Sequence, residues 1–207
     1  MEFKKIQLNG FKSFAEKADF LIEDGLTGIV GPNGCGKSNI VESLRWAMGE
    51  TSAKSMRGSG MEDVIFSGTS NKASKNIAEV TIEVENKDKE GPIQYREHDQ
   101  VQIKRKIEKD KGSKFYINGK EVRARDAQMF FADLSTGAHS PSMISQGRIG
   151  ALVTAKPTDR RAILEEAAGI SGLHVRRHEA ELRLGAAENN LKRADELRRQ
   201  QEKQLAN

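Results

Sequence analysis

The fold of this chain turns on Gly31-Pro32-Asn33-Gly34-Cys35-Gly36-Lys37-Ser38. The stretch satisfies G-x-x-x-x-G-K-[ST] at every fixed position. Ahead of it, Gly25-Leu26-Thr27-Gly28-Ile29-Val30 ends in a short apolar run that predicts a buried strand. Behind it, Asn39 to Met48 places apolar residues at 40, 41, 44, 47 and 48, a single helical stripe. Gly49 is positioned to end that helix in the left-handed conformation. Strand, glycine-rich turn and helix form the setting in which this motif grips phosphate. Gly31, Gly34 and Gly36 let the backbone turn tightly and bring its N–H groups near phosphate oxygens. The helix N-terminus adds partial positive charge at the same point. Lys37 can reach the β- and γ-phosphates, and the Ser38 hydroxyl can ligate Mg²⁺.

The 207 residues accommodate one domain and an appendage. Charged residues make up 31% and hydrophobic ones 36%, a balance that predicts a solvated, extended part beside a packed one. Cys35, inside the loop, is the only cysteine, which excludes a disulfide framework and fits a reducing cytosol. Neither a signal peptide nor a run of about 18 apolar residues is present, so no membrane segment is expected. A net charge of +4 permits contact with nucleic acid without requiring it.

Outward from the motif, Phe3 to Leu8 reads as a first strand, broken at Asn9-Gly10. Lys12-Ser13 follows. The pair either lies over a nucleotide or belongs to a loop pinned by Phe11 and Phe14, and the residues alone leave both readings open. After the motif helix, Ser52 to Gly60 is polar and basic. Arg57 there either touches a γ-phosphate or is a solvated loop residue. Residues 76 to 122 read as an antiparallel meander. Val80 to Glu85 alternates strictly, Val101, Ile103 and Ile107 mark a second strand, and Asn118-Gly119 predicts a tight hairpin. Lys104, Arg105 and Lys106, with residues 109, 111 and 114, form either a basic face or an ordinary solvated one.

Ala124 to Asp133 reads as a helix. That context argues against Asp133 as a metal ligand at a strand end, and Leu134-Ser135-Thr136-Gly137 lacks the second glycine of a transporter-type signature. Gln146, between a short apolar run and Gly147, has the chemistry to ligate Mg²⁺ and hold a water. Taken by itself it is a loop residue. Lys156 to Ala168 predicts a helix with Pro157 in its first turn. From His174 to Leu205 there is no proline. Leu184, Ala187, Leu191, Ala194 and Leu205 fall on a heptad seam, the pattern of a coiled-coil arm.

These landmarks together resemble the N-terminal head segment of SMC (structural maintenance of chromosomes) proteins, the bacterial type above all. The resemblance rests on Leu8 to Phe14, Gly31 to Val41, Asp63 to Phe66, Ile144-Ser145-Gln146-Gly147-Arg148-Ile149, and Arg160 through Ile170. It implies an α/β fold of the ABC-type P-loop NTPase class, a half-head with a mixed sheet, an antiparallel meander and helices, leading into a coiled-coil helix. Residues 1–170 would be the half-head and 171–207 the start of the arm. It also implies ATP and Mg²⁺ as cofactors. Pro32, Asn33, Gly34, Cys35, Gly36, Lys37, Ser38 and Asn39 would hold the nucleotide, with Lys12, Ser13 and Asp63 at the pocket edge. Ser38 and Gln146 would hold the metal, and Gln146 and Arg57 would act at the γ-phosphate.

The partners implied are the C-terminal half of the same head, a second SMC head in a homodimer, a kleisin subunit and double-stranded DNA. The implied setting is the cytoplasm at the nucleoid. The implied activity is ATP hydrolysis, completed by a signature loop, a Mg²⁺ aspartate and a catalytic glutamate that these 207 residues lack. A coiled-coil ATPase of double-strand-break repair or recombination is the alternative. The stretch from Ile144 to Ile170 argues against it.

Overall fold

The computed structural model describes residues 1–89, 91–134, 143, 150, 153–168 and 171–205. Six strands, β1 (Glu2–Asn9), β2 (Ala18–Leu21), β3 (Ile77–Glu85), β4 (Gln100–Glu108), β5 (Gly112–Ile117) and β6 (Lys120–Val122), form one sheet in the order β2-β1-β3-β4-β5-β6. Each neighbouring pair is antiparallel. The expected meander is therefore β3 to β6. Asn118 (φ 48°) and Gly119 (φ 77°) make the two-residue turn that joins its last two strands.

Alternation along each strand sorts the side chains into two faces. Ile6, Leu8, Ala78, Val80, Ile82, Val84, Val101, Ile103, Ile107, Phe115 and Ile117 point inward and are buried. They pack under α1 (Lys37–Ala47) and α2 (Ala124–Asp133), which contribute Ile40, Trp46, Ala47, Ala127, Phe130 and Phe131. The outer face carries charges of alternating sign in cross-strand pairs. Lys5 meets Asp19 at 2.9 Å, and Lys114 meets Glu121 at 3.0 Å.

Two expectations about the sheet need correction. Gly25 to Val30 forms no strand, and Leu26 and Val30 are 100% and 93% exposed. A strand exists only where a neighbour takes its N–H and C=O groups, and none of the six strands pairs with this segment. The basic run on β4 is also split between the faces. Lys104 and Lys106 lie outward, opposite Thr81 and Glu79, whereas Arg105 points inward and is 3% exposed. Its guanidinium donates to the carbonyls of Trp46 (2.6 Å) and Glu50 (2.7 Å) and to Ser113 Oγ (2.7 Å). It lies 4.5 Å from the Trp46 ring centroid and 4.6 Å from that of Phe115. Burial pushes its pKa down to about 10, which leaves it charged at neutral pH. A cation at the end of α1 also complements the helix dipole. Arg105 is thus a pin between α1 and the sheet and is withdrawn from any outer basic face.

Gly49 ends α1 as expected, at φ 106°. A Cβ there would lie 2.4 Å from Gln128 Cγ, and Gln128 Nε2 donates to the Gly49 carbonyl at 2.8 Å, so the same turn seats α2. Beyond α2, Pro157 opens α3 (Pro157–Ala167), and α4 (Ser171–Leu205) runs 35 residues. At 1.5 Å per residue α4 is about 52 Å long. Leu184, Leu191 and Leu205 on its heptad seam are exposed, while Arg177–Glu181 (2.8 Å) and Arg198–Glu202 (3.7 Å) pair one turn apart on its surface. Among the described residues no helix is long and apolar enough to cross a membrane.

Candidate nucleotide site

The motif loop turns on two glycines. Gly34 (φ 84°) and Gly36 (φ 95°) adopt left-handed conformations, and Gly36 is the residue from which α1 starts. No side chain caps α1 and no acidic residue lies in its first turn, so its N-terminal dipole faces a space without competing negative charge. Lys37 curls back over its own loop, its Nζ donating to the carbonyls of Gly31 (2.6 Å) and Pro32 (2.7 Å). Cys35 is exposed, with Sγ 3.8 Å from the same ammonium. Ser38 is exposed, and its hydroxyl has no hydrogen-bond partner among the described residues. A turn with two left-handed glycines, an ammonium resting on two carbonyls and an exposed hydroxyl fit a nucleotide's phosphates and a Mg²⁺ ion.

Gly36 is also a point of close approach. A Cβ on it would lie 2.4 Å from Ser13 Oγ. Ser13 Oγ in turn accepts from Asn39 Nδ2 at 2.9 Å. Asn39 Oδ1 accepts from the Arg57 guanidinium at 3.0 Å. Arg57 Nε pairs with Glu42, and Lys12 Nζ pairs with the other oxygen of the same carboxylate and donates to the Met56 carbonyl at 2.5 Å. Lys12, Ser13, Asn39 and Arg57, expected from sequence, are thus brought together beside the motif loop. Arg57 sits at φ 55° at the end of a short 3-10 turn, Lys54–Met56, and its side chain is 59% exposed.

Asp63 is held within its own loop. Its carboxylate accepts from the Ser59 amide (2.6 Å), the Ser59 hydroxyl (2.8 Å) and the Gly60 amide (2.9 Å). These bonds, the Gly60 amide first, hold its pKa below the ordinary aspartate value. Asp63 therefore fastens the loop that carries Arg57, and none of these bonds goes to the phosphate loop. Gln146 lies outside the described residues. Asp133 ends helix α2, and among the described residues no three His, Cys, Asp or Glu side chains come together to hold a metal.

Glu42 is the residue that sequence reasoning missed. It lies off the apolar stripe of α1 and so reads as a solvated position, yet it is 9% exposed. Nothing in the sequence pattern announces its partners, which come from two loops on either side of α1.

With the geometry in place, comparison with known proteins is specific. The family profile of the RecF/RecN/SMC N terminal domain matches residues 2–148. The chromosome partition protein Smc of Rhodopseudomonas palustris is 56% identical over 197 residues, covering 95% of this chain and 17% of its own length. That of Cereibacter sphaeroides is likewise 56% identical over 197 residues, with the same coverage. The chain therefore spans 17% of the length of these curated relatives.

Among solved structures, the Smc head domain of Pyrococcus furiosus, with an extended coiled coil and bound to the C-terminal domain of ScpA, superposes with a TM-score of 0.75. The match has 32% identity over 95% of this chain and 49% of that one. A structure described under ATP-driven dimerization and DNA-stimulated activation of SMC ATPases gives 0.69 at 32% identity, covering 81% of this chain and 99% of that one. The antiparallel sheet with its flanking helices and long terminal helix is accordingly the fold of a P-loop head leading into a coiled coil. The chain belongs to the RecF/RecN/SMC N-terminal domain family and carries the N-terminal part of an SMC head.

Proposed function

We propose that this chain is the phosphate-gripping half of an SMC ATPase head that organises chromosomes. The observation that carries the reading is the loop from Gly31 to Ser38, with Lys37 resting on the Gly31 and Pro32 carbonyls and Arg57 tied to the following helix through Asn39. MgATP, when bound, supplies the phosphoanhydride whose hydrolysis drives the machine. Lys37 leaves its two carbonyls to neutralise phosphate charge, the amides at the start of α1 orient the oxygens, and Ser38 offers its hydroxyl to the metal. Gln146 serves as a second metal contact and holds water.

The remaining groups lie in the C-terminal half of the head and in a second head. The exposed Leu26 to Val30 segment is where the C-terminal half adds strands, since pairing and burial there satisfy both its backbone and its apolar side chains. The arm beginning at residue 171 pairs its heptad seam with a returning helix. A homodimer of heads, a kleisin subunit, double-stranded DNA and a cytoplasmic, nucleoid-associated setting complete the proposal. The relatives support it, since they include chromosome partition proteins, an Smc head bound to ScpA, and an SMC ATPase described by ATP-driven dimerization and DNA-stimulated activation. The repair or recombination alternative draws no such support. The test is equilibrium binding of a labelled ATP analogue to the full-length protein and its Lys37→Ala variant. The proposal expects a large loss of affinity in a folded variant, and unchanged affinity refutes it.

A further inference from the structure

Glu42 is the only acidic side chain in α1, and it is nine-tenths buried. A buried carboxylate persists only when its charge is compensated. Here two cations from separate loops share it, Arg57 Nε on one oxygen and Lys12 Nζ on the other. Both partners hold left-handed backbones, Lys12 at φ 48° and Arg57 at φ 55°. Such conformations in non-glycine residues persist where the surroundings over-determine them and cluster at working sites. One turn earlier on α1, Asn39 takes a terminal nitrogen of the same guanidinium at 3.0 Å. The other terminal nitrogen has no partner among the described residues. Asn39 is in turn bonded to Ser13, which rests on Gly36 at the mouth of the phosphate loop.

We infer that Glu42 is a positioning residue for Arg57. Its carboxylate fixes Nε so that the free edge of the guanidinium stays available beside the phosphate loop, and Lys12 anchors the carboxylate from the other side. Removing the charge of Glu42 leaves two cations crowded around a neutral group and releases Arg57 Nε from the buried carboxylate that holds it. The inference rests on the proposed ATPase reading, in which Arg57 acts at the γ-phosphate.

The test uses the full-length protein with Glu42→Gln, Arg57→Ala and the double variant. Turnover with DNA should fall by about ten-fold or more in each single variant, the scale of losing one charge-assisted hydrogen bond in the transition state. The double variant should be no slower than Arg57→Ala, because Glu42 acts through Arg57. Affinity for a non-hydrolysable ATP analogue should stay within about three-fold in Glu42→Gln, since uniform binding is untouched. Hydrogen–deuterium exchange should accelerate in the peptide covering residues 54–60 and not across β3 and β4.

A purely structural Glu42 predicts the opposite pattern, with lower melting temperature, weaker nucleotide binding and a loss that multiplies with that of Arg57→Ala. Should Glu42→Gln fold poorly, Glu42→Asp keeps the charge, gives up one methylene of reach, and carries the same comparison. Turnover impaired by Arg57→Ala but spared by both Glu42 variants overturns the role of Glu42 alone. Turnover unaffected by Arg57→Ala overturns the inference together with the placement of Arg57. A full-length protein that neither binds nor hydrolyses ATP overturns the proposed function itself.

Discussion

Arg105→Ala is expected to destabilise the head more than any surface substitution, because the side chain joins three elements from inside the core. The variant removes three donations from a charged group, to Trp46, Glu50 and Ser113, and two ring contacts. Each charge-assisted bond is worth about 1.5–3 kcal/mol and each cation–ring contact about 0.5–2 kcal/mol. Their plain sum overstates the loss, because the guanidinium's own desolvation, visible in its lowered pKa, opposes it. A net cost of about 3–5 kcal/mol is expected, the range for deleting one partner of a buried ionic arrangement. Arg105→Met restores the apolar contact with Trp46 and Phe115 but no donor, and should recover about 1–2 kcal/mol of that loss.

Burial lowers the Arg105 pKa, so the fold gains stability only as pH rises through about 10. Between pH 6 and 9 the difference between wild type and Arg105→Met should therefore be flat. Urea unfolding of residues 1–207 followed by Trp46 emission measures this, since Trp46 is the chain's only tryptophan and is fully buried. An Arg105→Ala cost within about 0.5 kcal/mol, the scale of an ordinary surface change, would refute the reasoning.

Other outcomes follow from the same geometry. Gly36→Ala puts a Cβ 2.4 Å from Ser13 Oγ at φ 95°, and should cost about 1–2 kcal/mol in urea unfolding and abolish detectable binding of an ATP analogue. Asp63 holds a depressed pKa through Ser59 and Gly60, so its contribution is complete above its ordinary value of 3.8 and lost as pH falls through the lower folded value. Lower amide protection factors at Ser59 and Gly60 in Asp63→Asn, with wild-type protection factors equal at pH 7 and pH 5, are the expected observation. DNA contact through Lys104 and Lys106 should be sequence-independent and fall steeply with salt, and Lys104→Glu with Lys106→Glu should shallow the salt slope in a filter-binding titration. A sequence-selective, salt-insensitive complex would contradict that surface.

Much of this was legible because it depends on short-range patterns. The alternation of Val80 to Glu85, the Asn118-Gly119 turn, the left-handed Gly49 and the helix after Lys37 each follow from residues within a few positions. Expectations failed where the deciding partner lay far off in sequence. Leu26 to Val30 reads as a buried strand because it is apolar, and it stands exposed because none of the six strands pairs with it. Arg105 reads as one of three basic neighbours, and only the strand's two-residue period under α1 shows that it alone turns inward. Glu42 and Asp63 are opposite cases of one ambiguity. The residue type does not say which applies: Glu42 is shared by two cations from separate loops, while Asp63 accepts from Ser59 and Gly60 in its own loop. Arg57 and Lys12 lie together on Glu42, and both hold left-handed backbones that their local sequence does not announce.

The central claim is that these residues grip the phosphates of ATP while the groups that complete hydrolysis come from outside residues 1–207. Steady-state ATP turnover by purified residues 1–207, beside the same segment joined to its C-terminal head half, tests it most directly, with Lys37→Ala in both to exclude contaminants. The account predicts negligible turnover by the segment alone, and turnover by the completed head that rises more than linearly with head concentration and vanishes with Lys37→Ala. Sustained hydrolysis by residues 1–207 alone, abolished by Lys37→Ala, would contradict it.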